Sequence, residues 1–599
     1  MASIPGSVLL QTSRFDLENY RSYLFLRPAR TLAAGSALLQ EIEQALAEGA
    51  YVAGFFAYEC GESLKEIGRC DPQSTNPPVA WFGVYPEAFI FNHRTGSFEG
   101  TPPDELIPED TQPAQSFAIR NMRLGIGEES YAQKIAAIQE YIRSGDTYQV
   151  NFTDTLHFDF SGSPEAMFAA LSDAQPVPYS AFLHGENWTI LSFSPELFFR
   201  VKNRHIVTRP MKGTARRGRD IAEDQVIAQW LHNDSKNRSE NVMIVDLMRN
   251  DLGRLCEYGT VQVERLFEVE KYETLFQMVS QVSGTLRSGV RYSDIFESLF
   301  PCGSVTGAPK HRTMEIIRQL ESGPRGVYTG AIGFFSPARE AVFNVPIRTV
   351  VLEHNQGRMG VGSGIVIDSQ AGDEYRECLL KSEFLTSRDD PFQLLESILW
   401  NDGYNLLPLH LERMESSADY FGFVFDRKAI LAALEEESRQ LPCGARFKVR
   451  VLLERCGALT LSHSPVEQPA GETKVIISGS RVFSGDRFLR HKTTRRQLFD
   501  QQYAQARRDG YDEALFLNER GEVTEGAISN VFLKVDNRWV TPPVSCGLLP
   551  GIYRRHLLET KPALERVLHM QDLISADAVY ICNAVRGCRK VTVVSPPVS

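Results

Sequence analysis

No apolar run in the sequence reaches the ~18–20 residues that a bilayer-crossing helix requires, which argues against a membrane span. The opening MASIPGSVLLQTSRFD lacks a basic start followed by an apolar stretch, so no secretory signal is expected and the expected compartment is cytoplasmic. The ten cysteines form no CxxC pair, which argues against a zinc ribbon or a disulfide framework. Free thiols are expected instead, the close pair Cys582 and Cys588 included. No short period recurs, so a solenoid is set aside. Basic charge is also in short supply. Lys plus Arg total 64 against 75 for Asp plus Glu, a net charge of −11, and the chain carries no global basic footprint for nucleic acid. A GxxxxGK[ST] phosphate loop is missing. So is a GxCxG nucleophile elbow with a downstream His-x-Glu, so no glutaminase is expected in this chain.

What is present is ordinary globular material: 43% hydrophobic and 23% charged residues over 599 positions. At ~100–200 residues per domain, that length implies more than one folding unit. Two stretches read as connectors. GTPPDELIPEDTQPA, Gly100 to Ala114, is a Pro- and acid-rich surface excursion, and SRDDP at 387–391 precedes a fresh start of apolar patterning at Phe392. The expected division is a first domain over 1–386, a linker over 387–391, and a second domain over 392–599. Within the first domain an N-terminal region, 1–115, precedes a core, 116–386. There, strand-like runs such as Val52–Tyr58, Thr189–Phe193, Leu197–Val201, Gly330–Phe335 and Ala341–Val345 alternate with helical stretches. One of these, Tyr131–Arg143, sets Ile135, Ile138 and Ile142 on one face. The expected class is a large α+β or α/β fold, and α+β for the chain as a whole.

Several segments carry chemistry. In EYRECLLK, Glu374, Glu377 and Lys381 share a helical face, a pattern that also suits a salt-bridged surface. The Gly-rich strand GVGSGIVID precedes them, and carboxylates beside a backbone that a ligand can approach fit a hard cation such as Mg²⁺. Glu240 opens a helix-like run with Val242, Met243, Leu247 and Met248 as its buried side; its plain reading is charge complementarity at a helix N-terminus. FPCGSVTGAPK leads into a helix with Met314, Ile317 and Leu320 on its apolar side, and the loop amides suit a carboxylate or phosphate. Tyr328 and Arg348 add donors. Lys212, in RPMKGT, is either a surface lysine or an amine whose pKa is depressed for nucleophilic use.

Taken in order, GDTYQVNF, PMKGT, SENVMIVDLMRNDL, FPCGSVTGAPK, VYTGAIG, VPIRT and GSGIVIDS…EYRECLLK resemble the chorismate-utilising enzymes over about Tyr131 to Phe384. The resemblance implies a large two-sheet α/β sandwich. It also implies Mg²⁺ held by Glu240 and Glu377, and chorismate held by Gly213, Thr214, Tyr328, Arg348, Gly362 and Gly364, with Lys381 near the metal. Gln149 stands where isochorismate and salicylate synthases carry a water-activating Lys. Lys212 stands where anthranilate synthases carry Ala. In aminodeoxychorismate synthases that Lys attacks C2 of chorismate as the 4-hydroxyl leaves, and ammonia then adds at C4. The implied product is 4-amino-4-deoxychorismate, with ammonia from a separate glutamine amidotransferase subunit. Two departures stand out. Gln277 replaces the family's His in YETLFQMVS. The tryptophan-pocket motifs read LLQT and Pro178-Tyr179-Ser180, so tryptophan feedback is not expected.

The second domain has its own candidates. LLPLHLERMESSADYFGF reads as a helix with Leu411, Met414 and Ala418 on one side, and FKVRVLLE as a strand. Lys492, in RHKTTRRQLFD, sits among cations that lower an amine's pKa, a pattern shared by plain basic patches. DEALFLNERGEVTEGAISNVFL reads as strand, turn and helix start, with Glu525 a possible cap, and LLPGIYRRHLL as a Gly turn opening a helix. Together these resemble the fold-type IV pyridoxal-phosphate enzymes over about Phe392 to Val594. The resemblance implies a smaller α+β domain that binds pyridoxal 5'-phosphate. Lys492 would be the lysine that takes the cofactor aldehyde, Glu525 the partner of its ring nitrogen, and Arg413 with Gly551, Ile552, Tyr553 and Asn583 its phosphate site. The usual opening strands of that family are missing or shortened here. The two resemblances join in one expectation: a bifunctional enzyme that aminates chorismate and then eliminates pyruvate to give p-aminobenzoate, a folate precursor. The alternative is an anthranilate synthase-like domain fused to an aminotransferase-like or non-catalytic docking domain.

Overall fold

The computed structural model describes residues 4–67, 76–103, 116–386, 392–466 and 471–594. Most of the Gly100–Ala114 excursion and the whole 387–391 linker lie outside the described residues. The chain divides into two compact units, Met1–Arg216 with Ala228–Arg388, and Asp389–Ser599 with Arg217–Ile227. The short segment Arg217–Ile227, which the sequence assigns to the first domain, thus belongs to the second unit. Its charged side chains find their partners there, as described below.

The first unit is a sandwich of an eleven-stranded and a ten-stranded sheet, counted among the described residues. Alternation along the strands builds its layers. In Tyr51–Phe56, Phe55 joins a core with Val8, Phe25 and Ile190 of the other sheet. Val52 and Phe56 point the other way, into a core shared with the helices Leu38–Ala47 and Tyr292–Leu299. A third core packs Val150, Phe152 and Leu156 against Met211 and Val279. Each fully buried Phe or Leu contributes about 1.5–3 kcal/mol.

Two pairings place the chemistry. Gln149–Gly162 runs antiparallel to Gln356–Ile365, setting Gly362 opposite Thr153 and Gly364 opposite Asn151. In the other sheet, Met211–Arg216 pairs with Leu275–Thr285, and the ladder slips between Met211 and Thr214. Such a bulge bends the strand at Lys212 and re-aims its side chain.

The helix over Glu240 differs from its sequence reading. It spans Ser235–Gly253, is capped by Asp234, and places Glu240 within its body. Its buried side is Ile244, Val245, Met248 and Leu252, while Val242 is exposed and Met243 and Leu247 are half-covered. The charge-complementarity reading of Glu240 at a helix start therefore does not hold. The physical reason is that the true N-terminus, DSKNRS, is wholly polar and carries no apolar periodicity to mark it.

Counted among the described residues, the second unit has a three-stranded antiparallel sheet (Leu394–Asn401, Arg446–Leu453, Leu459–Pro465) covered by the helices Leu407–Phe421 and Arg427–Ser438. It also has an eight-stranded mixed sheet, in which Val523–Gly526 pairs on one side with Glu513–Asn518 and on the other with Asn530–Val535. The second of these pairings, Glu525 opposite Asn530, links the sheet back on itself. The segment after Glu525 is therefore a strand, not the expected helix start. Val531, Phe532 and Leu533 are all fully buried there, so no helical stripe exists to be read. No described helix is long and apolar enough to cross a membrane, and the nine described cysteines are unbridged.

Candidate active sites

In the first unit, Gly213 holds φ +94°, and a Cβ there would lie 3.0 Å from Asn237 Oδ1. The bulge thus needs glycine. A Cβ at Gly364 would lie 3.2 Å from Lys212 Nζ and 2.1 Å from Gln149 Nε2, which places the Lys212 amine and the Gln149 amide against the bare backbone of Gly364. Both amide atoms of Gln149 are buried without a partner. An unpartnered buried amide costs about 1–3 kcal/mol, so this one is disposed to receive a polar ligand.

Burial depresses the Lys212 ammonium, opposed by Glu240, Glu196 and Glu377 and reinforced by Lys381. Glu196 is a site residue that the sequence does not reveal. It is 3% exposed, and burial pushes its pKa up to about 7. Ser304 Oγ donates to its Oε1 at 2.6 Å, and the charge of Lys212 pulls its pKa down against the burial. The available signal was SPELFF, a carboxylate between two apolar strands with no neighbouring base.

Lys381 Nζ lies 2.7 Å from Glu377 Oε1 and donates to the Gly362 carbonyl at 2.7 Å, which ties the helix Ala371–Ser382 to the glycine strand. Ser363 Oγ donates to Glu374. Burial raises the pKa of Glu240, as does repulsion from Glu374 and Glu377, against the pull of Lys212 and Lys236. The structure therefore brings Lys212, Glu240, Glu377, Lys381, Gly362 and Gly364 into one charge-coupled cluster. Thr214 Oγ1 donates to Gln277 Oε1 at 3.1 Å, so the residue at the family's His position holds Thr214. Tyr328 is buried over Gly360, where a Cβ would meet its ring at 2.2 Å. Arg348 sits at φ +51° and donates to Gln175 Oε1 at 3.1 Å; among the described residues no ion pair ties it to the cluster. A separate cavity of about 370 Å³ is lined by Gln11, Thr12, Pro178, Tyr179 and Ser180, the residues of the altered tryptophan-pocket motifs.

In the second unit, Arg413, Lys492, Glu525, Gly551, Ile552, Tyr553 and Asn583 all line one cavity of about 660 Å³. Burial, with the Arg413 and Arg496 guanidiniums, lowers the pKa of Lys492 to about 7. Glu525 is pushed up to about 8 by burial, although it accepts from Leu549 N at 3.0 Å and from Asn530 Nδ2 at 3.3 Å. Arg413 forks onto Glu396, Nε to Oε1 at 2.8 Å and Nη2 to Oε2 at 2.7 Å, and His410 Nδ1 lies 2.6 Å from the same carboxylate. Arg413 and His410, by charge and hydrogen bonding, hold Glu396 down at about 2 against its burial, a pair the sequence did not reveal. Gly551 caps the helix Ile552–Thr560, whose first residues line the cavity. Asn583 is spent locally: its Oδ1 accepts from Val585 N and Arg586 N, and its Nδ2 donates to Ile528 O.

Comparison with known proteins decides the family. Residues 13–387 match the model described as chorismate binding enzyme, and residues 393–594 match amino-transferase class IV. The chain belongs to the chorismate-binding enzymes. Similar curated proteins are aminodeoxychorismate synthase component 1 of Escherichia coli and of Bacillus subtilis. The first is 37% identical over 332 residues, covering 54% of this chain and 73% of that one. The second is 42% identical over 355 residues, covering 55% and 74%. Among solved structures, anthranilate synthase component I of Streptococcus pneumoniae aligns with a TM-score of 0.55 at 26% identity, over 62% of this chain and 94% of that one. The chorismate-binding unit is thus followed by a class IV aminotransferase-type domain, whose fold implies pyridoxal phosphate.

The residues present fit both implied groups. Glu374 and Glu377 repel Glu240, a charge imbalance that a divalent cation relieves. Among the described residues no three His, Cys, Asp or Glu side chains are placed to hold a metal by themselves. Mg²⁺ would therefore rely on substrate oxygens for part of its shell. In the class IV domain a near-neutral lysine, a carboxyl poised to pair with a pyridinium and a helix N-terminus share one cavity. A Cβ at Gly551 would sit 1.9 Å from Asn530 Oδ1. Gly551→Ala is expected to displace Asn530, which also holds Glu525, and to weaken pyridoxal-phosphate binding about tenfold or more. Equilibrium titration of the apoprotein at a visible wavelength measures this, and unchanged affinity would contradict the placement.

Glu525 also sets a pH dependence in the cofactor-free protein. Its pKa rises from the ordinary 4.5 to about 8 on folding, so between those values the unfolded chain has lost a proton that the native state keeps. The group therefore lowers stability as pH rises through that window. In Glu525→Gln apoprotein, thermal stability of the second unit is expected to fall less between pH 5 and pH 8 than in the wild type. An equal fall in both would contradict the assignment.

Proposed function

We propose that the chain is a bifunctional p-aminobenzoate-forming enzyme, in which the first unit aminates chorismate with ammonia and the second releases pyruvate. The observation that carries the first step is the pairing of a depressed amine, Lys212, with a carboxyl near neutral pKa, Glu196, beside an unpartnered Gln149 amide. Lys212 Nζ, uncharged in a fraction of the population, forms a bond to C2 of chorismate. Both conjugated ring double bonds shift, C1=C2 to C1=C6 and C5=C6 to C4=C5, and the C4–O bond breaks. Glu196 gives its proton to the departing 4-hydroxyl, so water leaves and Glu196 is left as the carboxylate. Ammonia then bonds to C4, both double bonds return to their first positions, and the C2–Nζ bond breaks to restore Lys212. The covalent amine divides one difficult substitution into two displacements. Glu240 and Glu377 would hold Mg²⁺, whose positive charge would offset that of the substrate carboxylate in a low-dielectric site. Arg348, Tyr328, Thr214 and the glycine backbones of 213, 362 and 364 would hold and orient the diacid. Ammonia would come from a separate amidotransferase subunit, as the designation of the similar proteins as component 1 supports.

In the second unit the cofactor supplies the electron sink for elimination. Glu525 would hold a proton at the cofactor's ring nitrogen, Arg413 and the amides at 551–553 would hold its phosphate, and Lys492 would take the proton from C4 of the aminated ring. The C3–O bond then breaks, pyruvate leaves, and the ring becomes aromatic. Lys492 suits this task because its pKa is about 7, so the free amine is populated near neutrality.

Chelation separates the two steps. With EDTA present, chorismate consumption is expected to fall by about 10²-fold or more, while pyruvate release from supplied 4-amino-4-deoxychorismate stays within about twofold. Equal loss of both would contradict the division of labour.

A further inference from the structure

The second unit contains a segment that arrives from far upstream, Arg217–Ile227, directly after the strand that carries Lys212. It is a compact knot. Arg217 forks onto Asp224, Nε to Oδ1 at 3.0 Å and to Oδ2 at 2.8 Å, with both side chains buried, and Gly218 N donates to Asp224 Oδ1 at 2.8 Å. Gly218 is required, because a Cβ there would lie 2.5 Å from Glu223 Cβ and 2.7 Å from Asp224 N.

The knot is bound to the helix Leu407–Phe421 and to the residues before Lys492. Tyr420 Oη donates to Gly218 O at 2.6 Å, and the Arg217 guanidinium lies 4.4 Å from the Tyr420 ring centre. Arg219 Nη1 donates to Ser484 O at 3.2 Å, and Arg490 pairs with Asp220 at 2.7 Å. The decisive contact is His491, the neighbour of Lys492. Its Nε2 lies 3.1 Å from Arg219 O and its Nδ1 lies 3.0 Å from Ser417 Oγ. A carbonyl only accepts, so Nε2 carries the proton and Nδ1 accepts from the serine hydroxyl. Burial lowers this imidazole to about 4, so it stays neutral at physiological pH, stacked on Tyr420 at 4.4 Å. On the other side of the peptide, Leu395 N donates to Lys492 O at 2.9 Å.

We propose that Arg217–Asp224 is an arm of the second unit that positions Lys492, through the hydrogen bond from His491 Nε2 to the Arg219 carbonyl. His491 is a positioning residue: it fixes the backbone from which the lysine projects into the cavity. The inference deepens the pyridoxal-phosphate reading of this site and rests on that reading for its catalytic meaning. The contacts themselves do not depend on the cofactor. One consequence is that residues from 389 onward lack a built-in element when separated from the rest of the chain.

The test uses the full chain without cofactor, so that it stands apart from whether pyridoxal phosphate binds. Amide hydrogen exchange is followed by mass spectrometry in the wild type, in His491→Phe, which keeps a stacking ring and loses the donor, in His491→Gln, which keeps a donor, and in Gly218→Ala, which displaces the arm from its own side. In His491→Phe and Gly218→Ala the peptides covering Leu394–Leu395 and His491–Thr494 are expected to exchange about tenfold faster or more, with strand Asn530–Val535 unchanged. His491→Gln is expected to recover most of the protection. Competitive acetylation of Lys492 across pH is expected to show its pKa rising towards the ordinary lysine value in the first two variants only. Unchanged exchange and an unchanged Lys492 titration in both would overturn the proposal. So would uniform loss of protection across the second unit in both, which would mark the arm as a general structural support. Failure of the wild type to bind pyridoxal phosphate would instead refute the reading of the site and leave the positioning result standing.

Discussion

Lys212→Ala is expected to lower the formation of 4-amino-4-deoxychorismate by about 10³-fold, or roughly 4 kcal/mol of barrier, with chorismate binding changed far less. The argument is local. The bulge at Lys212–Gly213 turns the amine towards the backbone of Gly364, burial lowers its charge, and Glu196 stands by with a proton near neutral pH. Alanine removes the atom that bonds to the ring and keeps the strand, because Met211 and Val279 still pack in the same core. A split between kcat and KM tests this: kcat should carry the loss. Glu196→Gln should fall less steeply, by about 10²-fold, since a positioned acid contributes about 10²–10⁴. If Lys212→Ala formed the aminated product at the wild-type rate, the covalent route would be excluded.

The second large effect is expected from Lys492→Ala. Bound pyridoxal phosphate should lose its characteristic visible absorbance, and release of pyruvate should fall by about 10³-fold, while amination by the first unit continues and its product accumulates. The cause lies in the cavity: Lys492 is the one group among its named candidates with an amine near neutral pKa, and Glu525 and Arg413 flank it electrostatically. Rapid mixing with supplied 4-amino-4-deoxychorismate separates this loss from any effect on the first step. Pyruvate release that survives the substitution would make the second unit's chemistry independent of this lysine.

The two sites are legible in the sequence to different depths. Glycine-rich and charged motifs are local, so the Lys212, Gly362–Gly364, Lys381, Lys492 and Gly551 segments stand out as stretches, and the family resemblances single out these residues within them. Their convergence cannot be read this way, because Lys212 and Gly364 sit on different sheets that only tertiary packing brings together. Glu196 escapes notice because nothing in SPELFF differs from an ordinary strand with a polar residue; its meaning comes from burial beside Lys212 and Ser304. Glu396 escapes for the same reason. Its partners His410 and Arg413 lie on the next helix, so the triad exists only once that helix packs on the sheet. Secondary structure is clearest where a period is clean, as in Glu128–Arg143 with Tyr131, Ile135 and Ile138 buried. It fails where a segment is buried on all sides or begins with a polar cap, as after Glu525 and before Glu240. The placement of Arg217–Ile227 with the second unit has no local sign at all, since its charged residues read as a solvated loop.

The most direct measurement is a single incubation of the full chain with chorismate, Mg²⁺, ammonia and pyridoxal phosphate. The aromatic product is resolved chromatographically, because the ortho and para isomers share one mass. The account predicts p-aminobenzoate and an equivalent of pyruvate. Anthranilate in its place, or chorismate recovered unchanged, would contradict it.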